Sequence, residues 1–113
     1  MFGFSINRVT RELEAKLRSA DGGAGRGKVE RKWYADGGEK LTVRMRGLDL
    51  PDGTAVAVYF GDRAVAVLEI GKGAGHLRLE SDDNIAVPAA DDGEIARVLH
   101  NDVLLLSGKF QLD

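Results

Sequence analysis

Hydrophobic and polar positions follow two different rhythms along this chain. Over residues 5–20, Ile6, Val9, Leu13, Leu17 and Ala20 recur at steps of three and four, which predicts an amphipathic helix with one apolar stripe. Ser5 is placed to cap that helix, Phe4 to staple onto Val9, and Asp21-Gly22-Gly23 to end it. From residue 28 onward the period is two. Segments 28–35, 40–46, 54–60, 63–70, 76–80, 94–100 and 103–110 read as strands punctuated by Gly, Asn, Asp and Pro. Gly61-Asp62 fits a two-residue type II′ hairpin turn, and Asn101-Asp102 forms the next tight turn. About seven such strands with no helices between them predict a mainly β fold, an antiparallel β-sandwich or partly open barrel, behind one N-terminal helix. The expected organisation is a helical segment 1–20, a glycine-rich linker 21–27 and an antiparallel β domain 28–113.

A shift of 40 residues lays the hairpin around Gly61-Asp62 over the one around Asn101-Asp102, with Asp52-Gly53 over Asp92-Gly93. The overlay fits either a duplicated hairpin or two ordinary ones. The pattern Gly47-Leu48, Leu50-Pro51-x-Gly53-Thr54, Gly73-x-Gly75-x-Leu77-x-Leu79, Val87-Pro88 and Ser107-Gly108-x-Phe110 resembles small β-sandwich modules of uncharacterised bacterial proteins. It spans roughly residues 47–110 and rests on turn and core positions. The resemblance implies a fold and brings no functional residue with it.

Composition narrows the function classes. At 113 residues one core is expected, and the absence of Cys removes disulfides, thiolate metal sites and a thiol nucleophile. Arg8, Arg11 and Glu12 interrupt the N-terminal apolar residues too early for a signal peptide, and no long apolar run predicts a membrane span. The expected location is the cytoplasm. The net charge of −2 conceals an asymmetry: residues 1–46 hold 11 Lys/Arg against 6 Asp/Glu, whereas residues 47–113 hold 5 against 12. Such a split can steer a charged partner or align copies head to tail.

Motifs for catalysis or cofactors are weak. His76 and His100 lack a second ligand at metal spacing, and no Ser sits in a Gly-x-Ser-x-Gly elbow. Gly71-Lys72-Gly73-Ala74-Gly75 leads into a strand, so no helix N-terminus backs it as a phosphate cradle. Asp82, Asp83, Asn84, Asp91 and Asp92 lack the order of a calcium loop and also suit turns. No enzyme, metal or cofactor is expected.

Two surfaces remain as candidates. Alternation gathers Lys28, Lys32, Arg44 and Arg46 around Tyr34 on one strand face, a cationic platform with one stacking residue. The acidic balance and the single stacker weigh against nucleic acid, and binding of an anion or nucleic acid through this basic face is the second reading. In the 54–70 hairpin, an unbroken two-residue-turn register puts Ala55, Ala57, Tyr59, Ala64, Ala66 and Leu68 on one face. That face is apolar where a solvated one should be polar, and the stripe Ile6, Val9, Leu13 and Leu17 is its expected cover. The function expected first is therefore a non-catalytic module for protein interaction or self-assembly, with a protein partner or a second copy of the chain.

Overall fold

In the computed structural model, which describes residues 8–113, eight antiparallel strands join edge to edge. They are β1 (Val9–Ser19), β2 (Arg26–Tyr34), β3 (Glu39–Arg46), β4 (Ala55–Phe60), β5 (Arg63–Glu69), β6 (Gly75–Glu80), β7 (Ile95–His100) and β8 (Val103–Leu112). Their spatial order is β5-β4-β7-β8-β1-β2-β3-β6. The sheet curls until its two edge strands meet at their chain connection, where Gly71 and Ala74 exchange backbone hydrogen bonds of 2.9 and 3.0 Å. The result is a mainly β, nearly closed barrel-like sheet. No helix among the described residues is long and apolar enough to cross a membrane.

The expected N-terminal helix is replaced by β1. Leu13 and Leu17 are four residues apart, a spacing that serves one face of a helix and one face of a strand equally well. Ala15 between them decides the matter: Leu13, Ala15 and Leu17 are all buried, while Lys16 and Arg18 face outward. A helix of that length is marginal alone, whereas β1 gains ladder hydrogen bonds from β2 on one side and β8 on the other. Ile6, with the expected cap Ser5 and staple Phe4, lies outside the described residues. Of the expected linker 21–27, Arg26 and Gly27 belong to β2 and the rest is the turn of the β1–β2 hairpin, closed by bonds from the Gly23 amide to Ser19 Oγ (3.1 Å) and Asp21 Oδ1 (2.9 Å).

The interior is filled by alternate residues of every strand except β6, whose Leu77 and Leu79 pack at its margin, with Phe60 and Phe110 edge-to-face at 5.0 Å. One cation is inside it. Arg31 is 1% exposed; its Nε donates to the Pro88 carbonyl at 2.8 Å, its Nη1 to that of Lys32 at 3.2 Å, and its Nη2 to the Glu39 carboxylate. Its guanidinium also stacks over Trp33 at 4.5 Å. Burial of this charge is tolerated because each nitrogen has an acceptor. The bond to Pro88 fastens the long β6–β7 connection onto the barrel.

The two hairpins separated by 40 residues are built alike. Val58 pairs with Ala66 and Val98 with Leu106; a bulge follows in each, after which Tyr59 pairs with Ala64 and Leu99 with Leu104. Val58 also pairs with Val98, so an approximate two-fold axis runs between β4 and β7. The first bulge corrects the expected register of the 54–70 hairpin. It absorbs Val65 and turns Ala66, Leu68 and Ile70 toward the core, leaving Val67 69% exposed.

The halves of the sheet join where β8 crosses β1. Pairing is interrupted between Ala15↔Phe110 and Arg18↔Ser107. In that gap Gly108 lies so close to β1 that a Cβ on it would stand 2.1 Å from the Lys16 carbonyl oxygen. Gly108→Ala is therefore expected to cost about 3 kcal/mol of stability, because backbone must move. Gly71→Ala, whose Cβ would meet nothing within 4 Å, should stay within about 0.5 kcal/mol of the parent. Denaturant midpoints of the two variants check this; equal midpoints contradict it.

Candidate anion-binding face

The register of β1, β2 and β3 sets two rows of cations side by side on the outer face, and β6 adds a histidine to the first. Lys16 pairs with Lys28, Lys28 with Arg44, and Arg44 with His76. Two residues along the strands, Arg18 pairs with Arg26 and Arg26 with Arg46. At a strand spacing of about 4.8 Å the first row is roughly 14 Å long. Between the rows, Leu17, Gly27, Met45 and Gly75 turn their side chains inward or have none. The long basic side chains thus wall an open concavity of about 610 Å³.

Like charges directly opposite one another weaken a sheet. Farther along the same strands the signs are mixed: Glu12 pairs with Lys32, Lys32 with Lys40, and Lys40 with Glu80. The contrast sets the cationic rows apart from ordinary sheet surface. Of their members, Lys28 reaches Glu14 at 3.6 Å, and Arg26 donates to the carbonyls of Gly23 and Gly25 at 2.9 and 2.7 Å. Lys16, Arg18, Arg44 and Arg46 form no ion pair among the described residues, and all four are solvent-exposed. Their charge is available to a ligand.

The expected cationic platform is brought together only in part. Lys28, Arg44 and Arg46 line the concavity. Lys32 lies farther along β2, 4.0 Å from Glu30. Tyr34 is at the end of β2, six residues from Lys28 and so about 20 Å away along the strand. Lys16, Arg18, Arg26 and His76 belong to the face and were not expected there. The clue in the sequence was the polar phase Glu12, Glu14, Lys16, Arg18 set against Leu13, Ala15, Leu17.

The second expected surface is rearranged as well. Ala55, Ala57, Tyr59 and Ala64 are on the outer face, but Ala66 packs against the core and Leu68 is buried in it. Leu13 and Leu17, expected on a covering helix, are core residues of β1, and Val9 at its start is 43% exposed. Ala57 pairs with Val67 and with Leu99, and Leu99 with Leu104, giving an apolar row across β5, β4, β7 and β8. The molecule therefore has an apolar outer face on one half of its sheet and a charged one, cationic at one end, on the other.

Carboxylates are arranged differently. Glu12, Glu14 and Glu30 converge on the outer face, and Glu80, Asp82 and Asp83 converge at the start of the β6–β7 connection. Basic side chains already neighbour both groups: Lys28 and Lys32 in the first, Arg78 in the second at 2.5 Å from Glu80. The hydrogen bond from Arg78 holds the Glu80 carboxyl below its usual range, and bonds from Ser19 and Gly23 do the same for Asp21. His100 has Nδ1 at 3.1 Å from the Ala55 carbonyl, a contact between the end of β7 and the start of β4. Comparison with protein-family models and with curated protein sequences found no match for this chain.

Glu12 runs the other way. Loss of hydration raises its pKa above the usual 4.5, helped by a hydrogen bond with Asp113. The folded form thus holds this proton more tightly than the unfolded chain, so its contribution favours folding at low pH and is lost as pH rises through the interval above 4.5. Glu12→Gln should raise the melting temperature at neutral pH, and the gain should vanish in acid below the unfolded pKa. Melting curves across that pH range check it; a gain independent of pH contradicts it.

Proposed function

We propose that this protein is a non-catalytic binding module that takes an acidic segment of a protein partner along its cationic face. The observation that carries the reading is the pair of like-charged rows Lys16–Lys28–Arg44 and Arg18–Arg26–Arg46, with His76 next to Arg44 on β6. Such rows cost stability in the free protein, and a bound polyanion would remove that cost. Binding rather than catalysis is favoured by the lining, which among the described residues includes no carboxylate or hydroxyl side chain to work with His76.

An acidic protein segment is favoured over nucleic acid on two grounds. Among the described residues no Phe, Tyr or Trp lines the concavity, so bases would find little stacking platform there. The chain carries a net charge of −2, and a long polyanion would run beyond the basic rows onto acidic surface. A short acidic stretch of extended backbone would match a row roughly 14 Å long.

The test uses Arg44→Glu, which places a carboxylate opposite Lys28 and beside His76. The variant should be more stable than the parent by about 0.5 kcal/mol, because a cross-strand repulsion becomes an attraction. It should also bind a fluorescent oligoglutamate peptide about tenfold more weakly. Anisotropy titrations should show affinity falling with added salt. No binding at low salt, or binding unchanged by Arg44→Glu, overturns the reading. Tighter binding of single-stranded DNA of equal charge replaces it with a nucleic-acid one.

A further inference from the structure

The β6–β7 connection is the acidic counterpart of the groove. Between Leu79 and Ala96 the sequence holds Glu80, Asp82, Asp83, Asp91, Asp92 and Glu94, with no Lys, Arg or His. The four aspartates are exposed, two on the 3-10 turn Ser81–Asp83 and two just before β7. This connection is held against the barrel at several points. Arg31 Nε donates to the Pro88 carbonyl at 2.8 Å, Arg63 to that of Ala89 at 3.1 Å, and the Glu39 amide to Ser81 Oγ at 2.8 Å. Its acidic groups are therefore presented outward by fixed backbone, with little ordering left to pay for on contact.

The Ser81–Asp83 turn and the cationic groove lie at opposite ends of β6, whereas Gly93 and Glu94 bond to Phe110, which pairs with Ala15 beside Lys16. His76 lies at the groove end of β6 and Glu80 at the other end, so the strand itself separates them. With the connection anchored, Asp82 and Asp83 cannot reach the groove of their own chain. A second copy can bring them there. Six Lys/Arg of the groove would then face the exposed aspartates, since Glu80 and Glu94 are already paired with Arg78 and Arg63, and each copy would still present one free groove and one free acidic end.

We infer that copies of this chain associate head to tail, the β6–β7 connection of one docking into the cationic groove of the next. The contact is heterologous, so it builds rings or open chains instead of stopping at a two-fold dimer. It rests on the reading of the groove as a site for acidic protein segments and names the segment. Because the attraction is between exposed charges, association is favoured at low ionic strength and dissolved by salt.

The experiment is analytical ultracentrifugation of full-length protein with two variants. One carries Asp82→Asn, Asp83→Asn, Asp91→Asn and Asp92→Asn; the other is Arg44→Glu. The parent should sediment as a concentration-dependent series at low salt and as a monomer at high salt. Each variant alone should remain monomeric. Mixed together they should form a complex that stops at two copies, since one supplies only a groove and the other only an acidic end. The aspartate variant should still bind oligoglutamate with parental affinity. Oligoglutamate binding by a parent that stays monomeric overturns head-to-tail docking and leaves the proposed groove function standing; loss of both overturns both. Association that resists salt, or persists in both variants, assigns self-contact to the apolar face of β5, β4, β7 and β8 and likewise overturns the inference.

Discussion

The close passage of Gly108 over the Lys16 carbonyl is the constraint on which the architecture depends. A Cβ at that position would stand 2.1 Å from that oxygen, so any other residue would push β8 away from β1. Those two strands are the junction between β5-β4-β7 on one side and β2-β3-β6 on the other. Glycine in a strand interior usually marks such a close backbone approach or a corner. Here the corner lets one continuous sheet fold upon itself and enclose the apolar residues of both halves. It also falls beside Lys16 and Leu17, so the same local geometry that closes the core sets the first members of the cationic face.

Each half of the sheet then meets solvent in its own way. In β5, β4, β7 and β8 the outer face is short in charge, with Val67, Val103 and Leu104 exposed. The paired bulges at equivalent places in the two hairpins interrupt its regular pleat. At β5, an unpaired edge strand, the bulge also spoils the template that another strand would need. In β1, β2, β3 and β6 the outer face is charged and is segregated along the strands, mixed at one end and cationic at the other. Arg31 links this half to the acidic connection: it is buried among β2 and β3 and hydrogen-bonded to Pro88. The cationic face and the acidic connection are thereby held on one frame.

Much of the fold was legible because alternation in segments from residue 28 onward reports a strand with one buried face. Turn chemistry was equally plain. Gly61 has φ of 62°, and Asn101 and Asp102 have 49° and 64°, the left-handed values that tight hairpins require. Residues 9–19 were not legible in the same way. Leu13 and Leu17 fit either period, and only pairing with β2 and β8 selects the strand. Bulges leave no reliable mark in sequence, so Ala66 and Leu68 were placed on the wrong face. The cationic site was half visible: Lys28, Arg44 and Arg46 stand on strands that alternation identifies. Lys16 and Arg18 were hidden by the helical reading, Arg26 by its neighbouring glycines. His76 joins only through the β3–β6 register, which no local pattern encodes.

The account makes the end of the sheet defined by the two basic rows the place where an acidic segment binds. Amide chemical-shift mapping during an oligoglutamate titration tests this most directly. The prediction is that shifts concentrate in residues 16–18, 26–28, 44–46 and 75–76 and revert when salt is added. Shifts confined to β4, β5 and β7, or scattered evenly over the surface, would contradict it.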